Sequence, residues 1–209
     1  MSETGNNAKP DRIEITPAAG TSGIGAILSG YGFLVDVTCG MSVKDALETG
    51  MGLDADYIET HINTILHNGR PVDNIDTHRI YQPSTLALSA ALPGLFGAAF
   101  RKQGEYAALR PLPGYIEPPS KPENETITLT IKLFNITAKE LGPRLLRQGV
   151  RMDADDFLAF WKTRTGFQTD NSFSITLNGK AIPSESLRDS IRSGTVTLVV
   201  HNPASSRDT

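Results

Sequence analysis

Two stretches of this chain align without a gap: ILHNGRPVDNIDTHRIYQPSTLAL (65–88) on ITLNGKAIPSESLRDSIRSGTVTL (175–198). Ile65, Asn68, Gly69, Thr85 and Leu88 recur as Ile175, Asn178, Gly179, Thr195 and Leu198, while Arg70 becomes Lys180 and Val72 becomes Ile182. An internal repeat constrains architecture before any other signal, because two copies of one unit imply two copies of one supersecondary fold. Two more anchors extend the match: LDADYI (53–58) with MDADDFL (152–158), and SVKDAL (42–47) with TAKELG (137–142). The spacings between anchors differ, so the second copy carries insertions. The competing reading is that hairpins built on Asn-Gly look alike by chance.

Local signals give each copy the same order of elements. In the first, RIEIT (12–16) alternates like a strand, a Gly-rich connection runs from Gly20 to Gly32, and FLVDVT (33–38) is a second strand. Ser42 with Asp45 three residues on has the form of a capping box, opening a helix over 43–49 that Gly50 stops. Asp54 starts a short turn, THINTIL (60–66) is a strand entering the Asn68–Gly69 hairpin turn, and TLALSA (85–90) closes the copy. In the second, TITLTIKL (126–133) puts Ile127, Leu129, Ile131 and Leu133 on one face. Pro143 suits the first turn of a helix ending at Gly149, Asp153 caps a helix carrying Phe157, Leu158 and Trp161 and ending at Gly166, and FSITL (173–177) and TVTLVV (195–200) are strands. The expected fold class is α+β, two tandem ubiquitin-like β-grasp domains. Residues 11–110 form the first, with an extra C-terminal segment 94–110, and 125–202 form the second. Residues 111–124, PLPGYIEPPSKPEN, read as a stiff Pro-rich linker, and 1–10 and 203–209 as polar tails.

Composition excludes several functions. With 209 residues, 39% hydrophobic and 21% charged, the chain has the make-up of a soluble globular protein. A net charge of −3 and no long basic run argue against nucleic-acid binding. One cysteine, Cys39, excludes an internal disulfide and Cys-based zinc or iron–sulfur sites. The first residues, MSETGNNAKP, lack the apolar core of a signal peptide, and no apolar run is long enough to span a membrane, so a cytoplasmic location is expected.

VDVTCGMSVKDALE, then NGR-x-V, then STLALSAALPG resemble the small β-grasp sulfur carriers of thiamine and molybdopterin biosynthesis, the ThiS/MoaD family. The likeness covers about 33–97 and, more weakly, 126–200. The carriers end in a flexible Gly-Gly whose carboxylate is adenylated and converted to thiocarboxylate. This chain ends SSRDT, and where the first copy would carry its tail it reads LPGLFGAAFRK (92–102). The resemblance therefore implies fold rather than carrier activity.

Among candidate sites, AAGTSGIG (18–25) resembles the phosphate-cradling turn of short-chain dehydrogenases. The preceding strand is short and charged, ILSGYGF breaks at Gly30, and no Tyr-x-x-x-Lys exists, so a flexible hairpin loop is the expectation. His61 and His67, read as one strand, lie ~20 Å apart and cannot share an ion. His67 and His78 can meet across the hairpin near Asp73 and Asp76, without zinc-like spacing. Cys39 near a helix start can be read as a stabilised thiolate or, preferably, as a small core residue. Asp54 and Asp56, and Asp153, Asp155 and Asp156, read as helix caps. Segment 94–110 has no counterpart in the second copy. Its Leu95, Phe96, Phe100, Arg101 and Lys102 either pack internally or form an interface for a protein partner or self-association.

These readings converge on a non-enzymatic interaction or adaptor module with no cofactor, no metal, no nucleic acid and no membrane partner. The alternatives are an accessory protein in sulfur transfer or molybdopterin/thiamine biosynthesis, and a small-ligand-binding protein with a pocket between the two domains.

Overall fold

The computed structural model describes residues 10–18, 24–90, 94–102, 104–106, 125–163 and 173–202. The expected linker at 111–124, the tail at 203–209, most of the tail at 1–10 and the expected helix stop at Gly166 lie outside them. The chain is mixed α+β. It divides into a split unit, Met1–Ile24 with Arg144–Thr209, and a continuous unit, Gly25–Pro143.

The continuous unit contains β2 (Phe33–Thr38), β3 (Thr64–His67), β4 (Arg70–Pro71), β5 (Ser84–Ser89) and β6 (Thr126–Phe134), in the order β2-β6-β5-β3-β4. β6 runs antiparallel to β2 and parallel to β5, and β3 runs antiparallel to both β5 and β4. The split unit contains β1 (Asp11–Pro17), β7 (Val150–Asp153), β8 (Phe173–Leu177), β9 (Lys180–Ala181) and β10 (Thr195–Val200), in the order β7-β10-β1-β8-β9. Its pairings are antiparallel, parallel, antiparallel and antiparallel, the same succession as in the continuous unit.

The two hairpins that define the sequence repeat share their turn geometry. Asn68 and Asn178 adopt φ of 48° and 50°, and the glycines that follow adopt 79° and 81°. These are the left-handed conformations that an Asn-Gly hairpin turn requires. Val72 donates its N–H to the Ile65 carbonyl at 2.9 Å, and Ile182 donates to that of Ile175 at 3.1 Å. The helix caps repeat as well. The Asp54 carboxylate accepts the Asp56 and Tyr57 amides at the start of α3 (Ala55–His61), as the Asp153 carboxylate accepts those of Asp155 and Asp156 before α6 (Ala154–Thr163). Such a cap satisfies two N–H groups that the first helical turn leaves without partners. Behind each cap an equivalent apolar residue, Ile58 or Phe157, is fully buried.

The central strands depart from a tandem arrangement. In the continuous unit Ile65 pairs with Leu88, the closing strand of its own copy. The equivalent Ile175 pairs with Ile15, and Ile13 in turn pairs with Leu198. β1 thus fills the place that β5 holds in the other unit, and β10 fills the place of β6. The expected division into 11–110 and 125–202 does not match these units, since β1 lies with the second copy's strands and β6 with the first copy's. Part of the Gly-rich connection, expected as a flexible hairpin loop, is helix α1 (Ile24–Leu28). The alternating apolar faces are as expected: Ile13 and Ile15, and Ile127, Leu129, Ile131 and Leu133, are all buried. A period of two selects the buried face, not the neighbouring strand.

Three local expectations are corrected. The strand read over 60–66 begins at Thr64, because the Asp54 cap carries α3 through His61. Pro143 lies inside α5 (Asn135–Gln148) rather than in its first turn, and Gly149, at φ 97°, ends that helix as expected. Helix 43–49 is three residues of α2 (Val43–Asp45), capped by Ser42, continuing as a wider π-helical turn over Ala46–Gly50.

Candidate functional site

The interface candidates Leu95, Phe96, Phe100, Arg101 and Lys102, and the His67–His78 pair, belong to the continuous unit. β5 and β6 are parallel, so they finish at one end of the sheet, where Ser89 lies opposite Phe134. Asn135, at φ 55°, turns the chain sharply from β6 into α5 and donates from Nδ2 to Ser89 Oγ at 3.2 Å. The turn leaves Phe134 40% and Ile136 52% exposed. α3 joins the same neighbourhood through Tyr57, whose hydroxyl donates to Glu140 Oε2 on α5 at 2.7 Å.

Soon after β5 the chain forms α4 (Gly94–Phe100). Leu95 and Phe96 lie in this helix, and their side chains are outside the described residues. Phe100 is half-buried and Arg101 exposed. Lys102 is held closely: its N–H donates to the Asn63 carbonyl at 2.7 Å, and its Nζ donates to the Ile58 carbonyl at 3.1 Å. Glu59 Oε2 lies 4.0 Å from Nζ, and the lysine side chain is 10% exposed. Burial lowers the Lys102 pKa below the ordinary lysine value, with Glu59 and Asp76 opposing the shift. Beside it opens a pocket of about 210 Å³ lined by Glu59, Asn63, Asp73, Ile75, Asp76 and Lys102. Sequence flagged Lys102 only as half of a basic pair. Its burial depends on α3 and on the loop after β4, which no local pattern announces.

The structure brings His67 and His78 together, as the hairpin reading allowed. His67 Nδ1 lies 2.8 Å from His78 Nε2, and His67 Nε2 lies 2.8 Å from Ser84 Oγ. The spacing is that of a nucleophile, a base and an orienting group. The energetics argue otherwise. His67 is fully buried, and burial, reinforced by His78, lowers its pKa to about 4. A base that weak holds no proton at neutral pH and takes one from serine poorly. The arrangement closes the core: His67 shares the inward face of β3 with Ile65, and His78 arrives on a loop anchored by buried Ile75 and Ile80. Asp73 and Asp76 line the Lys102 pocket, and Asp76 pairs with Lys44 at 3.0 Å. Among the described residues no group of three or more His, Cys, Asp or Glu is placed to hold a metal ion. His61 is on α3, not on a strand with His67, and stacks on Tyr57 at 4.7 Å.

Cys39 is buried and donates its S–H to the Tyr81 carbonyl at 3.3 Å, which is the core role. Residues 19–23 of the glycine cluster lie outside the described residues, and the five-residue α1 follows them. No described helix is long and apolar enough to cross a membrane. No protein-family model, curated protein or solved structure matches this chain.

Proposed function

We propose that this chain is a non-enzymatic protein-interaction module built from two ubiquitin-like β-grasp units whose central strands are interchanged along the sequence. The shared strand order and the repeated hairpin and cap geometry support that reading of the units. The observation that carries the function is the exposed apolar pair Phe134 and Ile136, at the sheet end from which the carriers' reactive tail would emerge. In this chain that exit leads into α4, and the segment is tied back to the α3 region through Lys102. Exposed apolar side chains at a sheet end suit a protein partner or a second copy of the chain.

The test is a Phe134→Ser/Ile136→Ser variant, compared with the parent by affinity capture under native conditions and by light scattering. Both side chains are already exposed, so folding is retained. A defined partner, or the chain's own dimer, should fall at least ~10-fold, a loss of about 1.4 kcal/mol. An unchanged partner set and unchanged mass would remove this surface from consideration. Loss of an adenylating enzyme in particular would favour the accessory role in sulfur transfer.

A further inference from the structure

We infer that Lys102 is a carbonyl-condensing lysine, which takes a small uncharged hydroxyaldehyde from the adjoining pocket as a protonated imine. The geometry supplies what such an adduct needs. The Lys102 side chain is 10% exposed and lines a pocket of about 210 Å³, the volume of roughly seven waters at ~30 Å³ each. That suffices for a two- or three-carbon aldehyde.

An ammonium carries three N–H bonds and an iminium one. Among the described residues Nζ gives one hydrogen bond, to the Ile58 carbonyl at 3.1 Å, and that is the contact an iminium keeps, since it too has one N–H to give. Glu59, with Oε2 at 4.0 Å and 73% exposed, is placed to carry protons and to serve as counter-ion. Asp73 and Asp76 accept hydrogen bonds from substrate hydroxyls, and the excess of carboxylates repels phosphorylated or carboxylated aldehydes.

The step balances. The Lys102 ammonium gives one proton to Glu59, and the neutral amine forms a C–N bond to the carbonyl carbon. The carbonyl electron pair moves to oxygen, which takes that proton back. The resulting carbinolamine loses its oxygen as water, with a second nitrogen-bound proton, as the C=N bond forms. The sum is R–CHO plus Lys–NH₃⁺ giving Lys–NH⁺=CHR plus H₂O. The energetic requirement is an amine that gives up its charge more readily than an exposed lysine, and burial supplies it.

The full chain is incubated with glycolaldehyde and cyanoborohydride near neutral pH, and labelled lysines are mapped by peptide mass spectrometry. Lys102 should be labelled at least ~10-fold faster than the exposed Lys139, Lys162 and Lys180, and phosphorylated glycolaldehyde should show no such preference. Glu59→Gln should slow Lys102 by ~10-fold or more and leave the other three unchanged. A lysine that only caps α3 would be labelled last, in order of exposure. That ordering, or a Glu59→Gln variant labelled at Lys102 like the parent, overturns the inference.

Discussion

Asn178 grips Arg12 from both sides of the peptide: its own N–H donates to the Arg12 carbonyl at 2.8 Å, and its Oδ1 accepts the Arg12 N–H at 2.8 Å. Asn68 makes the same pair of bonds to Thr85, both at 2.9 Å. The turn residue of each repeat thus clamps whichever strand lies beside its hairpin, and in the split unit that strand comes from the far end of the chain.

The Asn178 side chain also donates from Nδ2 to Asp11 Oδ1 at 2.9 Å. Asn178→Gly keeps the left-handed turn and loses both side-chain bonds, about 2 kcal/mol. Asn178→Ala adds roughly 1 kcal/mol of left-handed strain, so about 3. Urea unfolding followed by Trp161 emission measures both, and an alanine variant no weaker than the glycine variant would contradict the turn geometry.

Trp161 is the sole tryptophan and is buried in the split unit against Phe157 and Phe173. Deleting residues 1–17 removes the strand between β8 and β10 and should expose Trp161, shifting its emission to the red. A synthetic peptide of residues 10–18 should restore it. In a tandem arrangement Trp161 would not register the deletion, so an unshifted spectrum would refute the interchange.

Asp11 anchors that strand chemically. Burial raises its pKa, but hydrogen bonds from the Arg192 amide, the Asn178 side chain, and the Ser193 amide and hydroxyl outweigh it and leave the pKa lowered. Stability from this carboxylate is present above its unfolded pKa and is lost as pH falls through the lower folded value. Asp11→Ala leaves those donors unanswered and should cost about 1–3 kcal/mol. A variant as stable as the parent at neutral pH would show the network to be dispensable.

The continuous unit should have its own acid sensitivity. His67 has a folded pKa of about 4 against an ordinary 6.5. Across that window the unfolded chain binds more protons than the folded one. Stability is therefore complete above 6.5 and is lost as pH falls toward 4. Thermal melts of the parent should drop through this range, and His67→Gln, which bonds without titrating, should flatten the drop. Parallel slopes would acquit the histidine pair.

Close approach of α1 and α5 gives a steric prediction. A Cβ on Gly142 would lie 2.6 Å from the Gly25 carbonyl oxygen and 2.9 Å from Ser29 Oγ. Gly142→Ala must move backbone and should destabilise by about 1–3 kcal/mol despite alanine's helix preference. A neutral or stabilising alanine would mean that the two helices part easily.

By itself the sequence determined what depends on near neighbours. The Asn-Gly turns, the Ser42, Asp54 and Asp153 caps, the Gly149 helix end and the buried faces of β1 and β6 each follow from residues a few positions apart. The shared role of Ile58 and Phe157 was legible because a repeat writes the same local physics twice. Only the tertiary structure decided that Ile175 pairs with Ile15 and not with Leu198, that Lys102 is enclosed, and that Phe134 and Ile136 remain outside. An alternating strand carries its inward face in its own residues. Its neighbour is selected by competition among several equally apolar strands, settled by connection geometry and by remote groups such as Asn178 and Asp11, which lie more than a hundred and sixty positions apart.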